Sequence, residues 1–113
     1  MLRTELASGR EAAAAPLPKT MNAAVVDAAG APDAFRIADV PLPQVKRDHA
    51  IIALDFASVG IWDAKERSGE WREITPGTIL GADGAGTVVA LGKEVEHLRV
   101  GDRVYAYGYD NPE

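Results

Sequence analysis

From Met21 onward, glycine, proline and aspartate divide the sequence into short segments. These residues favour turns, and the segments between them are rich in apolar and β-branched residues. We predict strands at residues 23–27, 35–40, 49–59, 85–91 and 103–107. Residues 61–68 suit a short helix that ends at Gly69. The pattern therefore predicts a mainly β domain with one short helix, arranged as a small, partly open β-barrel.

Three segments carry more detailed predictions. Residues 35–40 place Phe35 and Ile37, with Asp39 as a further candidate, on one side, an alternation that predicts a half-buried strand. Residues 49–59 form the longest apolar run and predict a central strand, with one apolar face made by Ile52, Leu54 and Phe56. Residues 74–81 contain a Pro-Gly turn and predict a loop.

The first 20 residues differ in composition from the rest. They contain four consecutive alanines and two prolines, with few bulky apolar side chains. We predict a flexible N-terminal extension at 1–20 ahead of a single domain at 21–113. Two explanations remain open, an alanine-rich helical turn ended by Pro16 and a tail produced by a start codon upstream of the functional one at Met21.

Charge and cysteine content exclude several classes of protein. The 12 basic and 17 acidic side chains give a net charge of −5, which argues against a nucleic-acid or anionic membrane partner. Because the chain has no cysteine, it has neither a disulfide framework nor a thiolate zinc site. No apolar run has the length of a membrane span, and polar residues follow Arg3 where a signal peptide would be apolar. We expect a cytoplasmic protein.

The glycine cluster at 81–86 invites comparison with a dinucleotide-binding loop. That loop has glycines at its first, third and sixth positions and leads from a strand into a helix. Here the glycines are first, fourth and sixth, and a β-branched segment follows. We expect these glycines to allow two strands to approach closely or to turn a corner.

Other chemistry-bearing residues form no convincing site. Ser58, His49 and Asp55 lie along one predicted strand, which keeps them too far apart for a catalytic triad. His49 and His97 are expected at exposed positions, and two histidines do not make a metal site. Two interpretations are open for the tryptophans: both fill the core, or Trp62, which stands where a strand gives way to a helix, forms the wall of a pocket.

Taken together, residues 21–108 resemble the GroES-like N-terminal domain of the medium-chain dehydrogenase/reductase superfamily. The resemblance begins with the strand at Met21–Val25, continues through residues 57–63, and is most specific at 81–104, GADGAGTVVALGKEVEHLRVGDRV. This last segment is similar to the family's glycine-rich strand, charged turn and Val-Gly-Asp-Arg-Val hairpin. The resemblance implies the GroES-like fold.

The resemblance also implies a metal-free version of this domain. Zinc-dependent alcohol dehydrogenases of the family carry a cysteine three residues before the aspartate matched by Asp63, and a histidine after the glycine matched by Gly81. This sequence has Gly60 and Ala82 there, and neither side chain binds a metal. Trp62 stands where those enzymes have the hydroxyl of a proton relay.

The resemblance is therefore to the zinc-independent quinone oxidoreductases and related enoyl reductases, in which NADPH supplies the hydride and the protein positions a carbonyl or quinone substrate. In these relatives the stretch matched by Gly60, Ile61 and Trp62 approaches the nicotinamide and the substrate. We take these residues and Asp63 as candidates for that pocket, although many relatives have asparagine in place of Gly60. Asp63 and Asp83 match retained acids that are expected to be structural without a metal. No catalytic residue is assigned.

Family members continue into a Rossmann domain that binds NADPH, and this sequence contains no such fingerprint. The resemblance implies the substrate-side domain, or a truncated form, of a zinc-independent NADPH-dependent oxidoreductase that is inactive alone. The alternative is a non-catalytic GroES-like binding or assembly module, because Gly77–Leu80 is similar to the apolar mobile loop of co-chaperonins. Self-association through an exposed apolar face is a third expectation.

Overall fold

The computed structural model describes residues 16–107. Within this range the chain forms β1 (Thr20–Val26), β2 (Phe35–Pro41), β3 (Ala50–Ala57), α1 (Ile61–Arg67), β4 (Thr78–Ile79), β5 (Asp83–Leu91) and β6 (Arg103–Tyr107). The mainly β fold with one short α-helix is confirmed. Residues 1–15, and with them the predicted alanine-rich turn, lie outside the described residues.

The strands form two antiparallel sheets, each in its own compact unit. The first unit, here called the helix unit, comprises residues 19–42 and 58–81 and holds α1 and a sheet of order β2-β1-β4. The second, here called the strand unit, includes residues 43–57 and 82–107 and holds a sheet of order β3-β5-β6.

The core of the helix unit is small and lies at the end of β1. Val25 and Val26 are fully buried, and Ile74 is nearly so. β1 pairs with β2 in unbroken register, with Ala23 opposite Ala38. Phe35 and Ile37 are exposed, whereas Ala38 and Val40 are half-buried, so the side of β2 that carries Phe35 and Ile37 faces solvent. Strand pairing decides which face is buried, and the sequence alternation permits either face.

The segment at 74–81 is held against β1 and is not entirely a loop. Thr78 and Ile79 form β4, which pairs with Val26 and Val25. The Gly77 amide donates a hydrogen bond to Asp27 Oδ1 over 2.9 Å. The sequence predicted only a loop here because a two-residue strand is too short to show any alternation.

In the strand unit, β5 is the central strand and β3 lies beside it at one edge. The register of β3 against β5 shifts between Leu54 and Phe56, so Asp55 is the extra residue of a β-bulge. Leu54 and Phe56 are exposed, whereas the Asp55 side chain is only 4% exposed and pairs with Arg103 over 2.8 Å. The prediction of β3 as a central strand is therefore wrong, and its apolar face at Leu54 and Phe56 is exposed.

Candidate functional site

The first turn of α1 is closed by a side chain that stands on the helix itself. Gly60 is the N-cap residue with extended backbone, and its amide donates a hydrogen bond to Asp63 Oδ2 over 2.7 Å. A carboxylate at the third helical position satisfies an amide that the helix leaves without a partner, and it interacts favourably with the helix dipole. Asp63 therefore fixes the direction in which the chain enters α1.

The end of α1 is held to the turn between β1 and β2. The Gly30 amide donates to the Arg67 carbonyl over 3.0 Å, and the Arg67 guanidinium donates to the Gly30 carbonyl. Gly69 follows the helix with φ of 81°, a conformation that favours glycine and reverses the chain. A Cβ on Gly69 would lie 2.9 Å from the Ala29 Cβ. These contacts fix α1 within the helix unit.

The beginning of α1 presents apolar side chains to solvent. Ile61 is 62% exposed and Trp62 is 50% exposed. Trp71 is 41% exposed, so neither tryptophan fills the core, and the first of the two sequence interpretations is wrong. Exposed side chains of this size are available for contact with a ligand or a partner.

The two tryptophans lie against each other. Their ring centroids are 5.1 Å apart, and the ring planes are tilted by 32°. The Glu70 amide donates to the Lys65 carbonyl over 3.0 Å, which returns the chain along the helix and brings Trp71 to Trp62. The Lys65 ammonium lies 5.7 Å from the Trp71 ring centroid and 3.4 Å from Glu70 Oε1. The structure thus joins Gly60, Ile61, Trp62 and Asp63 with two residues that were not predicted for the site.

Trp71 and Lys65 are the members of this cluster that the sequence interpretation left out. Lys65 follows Trp62 by three positions in α1, a spacing that puts two side chains on one helix face. The glycine at 69 was the sequence signal for Trp71, because a chain reversal there brings the following residues back along α1. We call Trp62, Trp71 and Lys65 the indole cluster.

The glycine cluster at 81–86 serves strand packing. Gly81 precedes β5, and Gly84 and Gly86 lie within this strand, which begins at Asp83, so the cluster belongs to a strand and not to the start of a helix, as predicted. A Cβ on Gly86 would lie 2.0 Å from the Ala53 carbonyl oxygen, and one on Gly84 would lie 2.6 Å from Leu54 Cδ2. Glycine at these positions lets β3 approach β5.

The remaining sequence candidates do not assemble into a site. His49 Nδ1 lies 2.5 Å from Asp48 Oδ1, and Asp55 is engaged by Arg103. Among residues 16–107, no three His, Cys, Asp or Glu side chains are grouped in a way that could hold a metal ion.

Comparison with known proteins identifies the domain. Residues 46–112 match the family described as the alcohol dehydrogenase GroES-like domain. The NADPH-dependent alkenal/one oxidoreductase from Arabidopsis thaliana chloroplasts is 35% identical over 95 residues, which is 81% of this chain and 25% of that protein. The enoyl reductase component of lovastatin nonaketide synthase from Aspergillus terreus is 43% identical over 65 residues, 58% of this chain and 17% of that protein.

The same relationship is seen in three dimensions. The quinone oxidoreductase from Coxiella burnetii superposes with a TM-score of 0.74 at 27% identity, covering 82% of this chain and 31% of that structure. This chain therefore spans at most about a third of the length of these relatives. The GroES-like fold implied by the sequence is confirmed. The chain belongs to the alcohol dehydrogenase GroES-like domain family, within the medium-chain dehydrogenase/reductase superfamily.

Proposed function

We propose that this chain is the substrate-side part of a zinc-independent, NADPH-dependent oxidoreductase that reduces quinones or enones, and that this part has no turnover by itself. Family membership and relatives named as quinone, alkenal/one and enoyl reductases support the proposal. The observation that carries it is the start of α1. There the chain presents Ile61 and Trp62, and the carboxylate of Asp63 is held by the Gly60 amide.

The donor set does not fit a catalytic zinc ion. Zinc in proteins takes thiolate, imidazole or carboxylate ligands. Gly60 and Ala82 offer none of these, and Asp63 Oδ2 accepts a hydrogen bond from the helix cap. We therefore derive no step through zinc.

The described residues also do not fit the pyrophosphate of a nicotinamide nucleotide. A dinucleotide site places its glycines before a helix, whose free amides face the phosphates. Here no helix follows the glycines: Gly84 and Gly86 lie within β5, where added side-chain atoms would collide with β3. We propose that NADPH is held by another part of a longer protein.

Within that protein, this chain would act by positioning the acceptor. Ile61 and Trp62 would contact the acceptor and exclude water from it, which favours transfer between reactants held in contact. Gly60 would leave space beside the acceptor, because it has no side chain. Asp63 would hold the first turn of α1 in place, so its role would be positioning rather than catalytic.

The alternative of an assembly module with a mobile loop at Gly77–Leu80 has weaker support. Thr78 and Ile79 pair with β1, and Gly77 is hydrogen-bonded to Asp27.

We propose a cytoplasmic location, supported by the absence of cysteine. No helix among residues 16–107 has the length and apolar character needed to cross a membrane. Self-association stays a prediction that light scattering at two protein concentrations would test.

The proposal is tested by incubating the purified chain with NADPH and a quinone, and by measuring its metal content after exposure to zinc. We expect no saturable oxidation of NADPH and far less than one zinc ion per chain. Saturable turnover by the chain alone, or one tightly held zinc ion, would contradict the proposal. Mass spectrometry of the native protein separates bound from free metal.

A further inference from the structure

We infer that the indole cluster is the acceptor-selecting surface of this domain and that it favours flat aromatic quinones over linear enones. The inference rests on the proposed function, because it names the substrate class of the same site. It adds Trp71 and Lys65 to the residues that would meet the acceptor.

The two indole rings provide an extended apolar surface. Their centroids are 5.1 Å apart at a tilt of 32°, which is an offset stack rather than an edge-on contact. Half of Trp62 and two fifths of Trp71 remain accessible to solvent. An acceptor ring placed on this surface would bury apolar area of its own and of the indoles, and it would extend the stack of Trp62 and Trp71.

Shape favours a planar ring over a chain. Dispersion contacts are individually small and add up over the area in contact. A flat bicyclic quinone can place most of its atoms against an indole face, whereas a linear enone covers only a strip of it. An electron-poor quinone ring also suits the electron-rich face of an indole.

Lys65 supplies the polar part of the cluster. Its ammonium lies 5.7 Å from the Trp71 centroid, within reach of a group bound on that ring. An ammonium has three donors, and the pairing with Glu70 over 3.4 Å engages only part of that capacity. Lys65 can therefore donate to a quinone carbonyl oxygen, an acceptor that a purely apolar surface would leave unpaired.

Nuclear magnetic resonance tests the inference directly, because the chain contains only two tryptophans and both belong to the cluster. The ¹⁵N-labelled chain would be titrated with a methyl-substituted 1,4-naphthoquinone and, separately, with a linear enone of the same carbon number. The absence of cysteine prevents addition of these probes to thiols. We expect both indole N–H signals to shift saturably and the quinone to bind about tenfold more tightly than the enone.

Three variants locate the binding. Trp71→Leu should weaken quinone binding about tenfold and abolish the preference over the enone, because one ring of the stack is lost. Trp71→Phe should restore most of the affinity, which keeps the test informative if the leucine variant folds poorly. Tyr105→Leu, at a 90% exposed aromatic residue of the strand unit, is the matched control and should change nothing.

Equal affinity for the two probes, or unchanged quinone binding in Trp71→Leu, would overturn the inference. A longer protein containing these residues that reduces linear enones as well as quinones would contradict only the selectivity. Absence of any NADPH-dependent reduction by that protein, with saturable quinone binding intact, would contradict the proposed function and leave the binding surface standing.

Discussion

A single carboxylate at the start of α1 holds the first turn of the helix by a hydrogen bond within the chain. Asp63 accepts a hydrogen bond from the Gly60 amide, and both residues lie beside the exposed Ile61 and Trp62. The sequence resemblance predicted a structural role for Asp63, and in the structure its carboxylate accepts the hydrogen bond of the N-cap amide. The position of these two exposed side chains therefore depends on a helix cap.

Replacing this cap should loosen the first turn of α1. Asp63→Ala removes the acceptor of the Gly60 amide, and we expect a loss of about 1 kcal/mol in the free energy of unfolding. Urea denaturation followed by circular dichroism measures it. Glu73→Ala, at an exposed acid outside the helix, is the control and should cost much less. Equal losses in the two variants would show that the cap does not stabilise α1.

A second carboxylate joins three parts of the helix unit. Asp27 accepts hydrogen bonds from Arg36 Nε over 2.5 Å, from Arg36 Nη2 over 3.0 Å and from the Gly77 amide over 2.9 Å. The Arg36 guanidinium, followed by the Gly77 amide, lowers the pKa of Asp27 below its ordinary value of 3.8. Hydrogen bonds to the charged form account for this direction.

The lowered pKa predicts an acid-dependent contribution to stability. Because the folded-state pKa is below the unfolded value, the contribution is fully present above about pH 5 and is lost as the pH falls through the folded-state pKa. Asp27→Asn should therefore be less stable than the parent chain at neutral pH, and the difference should shrink on acidification. Denaturation at several pH values measures this. Arg36→Met should behave in the same way, and a difference that is constant with pH would refute the assignment.

At the scale of elements, β5 organises the strand unit through its glycines and its buried residues. Thr87, Val88 and Val89 are buried, and the strand pairs with β3 on one side and β6 on the other. Gly86 sits where the backbone of β3 comes closest, since a Cβ there would lie 2.0 Å from the Ala53 carbonyl oxygen. Side-chain volume at this position is therefore incompatible with the pairing.

We predict that Gly86→Ala separates β3 from β5 and costs more than about 3 kcal/mol, because the collision is with backbone rather than with a movable side chain. Gly77→Ala is the matched control. It has open space for the new Cβ but a φ of 83°, so conformational strain alone should cost about 1–2 kcal/mol. Hydrogen exchange of the β3 amides distinguishes the two variants, because only Gly86→Ala should weaken the pairing of β3 with β5. Similar losses in both variants would show that packing at Gly86 is not decisive.

The sequence predicted most elements of this fold, and its failures have identifiable causes. The range of β6 agrees with the structure, and α1 ends before Gly69 as predicted, because turn-forming residues and β-branched runs are local signals. β3 was predicted as a central strand and is an edge strand, because its place in the sheet depends on long-range pairing with β5 that the local sequence does not show. No local pattern marks a bulge, or the long-range pairing of Asp55 with Arg103 that buries a carboxylate in this strand.

The sequence predicted only the contiguous part of the candidate site. The family resemblance indicated Gly60, Ile61, Trp62 and Asp63. These four residues are consecutive in the sequence, at the N-cap and first turn of α1, so they lie close together. Trp71 joins them only because the chain reverses after α1, with Glu70 hydrogen-bonded back to Lys65. Both tryptophans were equally compatible with a core, since composition does not report exposure.

At the scale of the whole molecule, the chain corresponds to a fraction of its relatives. It spans 25% of the Arabidopsis oxidoreductase and 31% of the Coxiella structure. The described part presents exposed apolar side chains at the start of α1, which we propose meet the acceptor, and it offers no fitting donor set for zinc or for a nucleotide pyrophosphate. Our account therefore assigns the hydride donor to another part of a longer protein and acceptor positioning to this one.

The most direct test of this account is the rate of NADPH oxidation by a graft, in which residues 19–107 replace the matching region of the Coxiella burnetii quinone oxidoreductase. Fluorescence of bound NADPH first establishes that the nucleotide site of the graft is intact. We predict quinone-dependent turnover that a metal chelator leaves unchanged. A graft that binds NADPH but does not reduce quinone, or one whose turnover is lost with chelator and returns with zinc, would contradict the account.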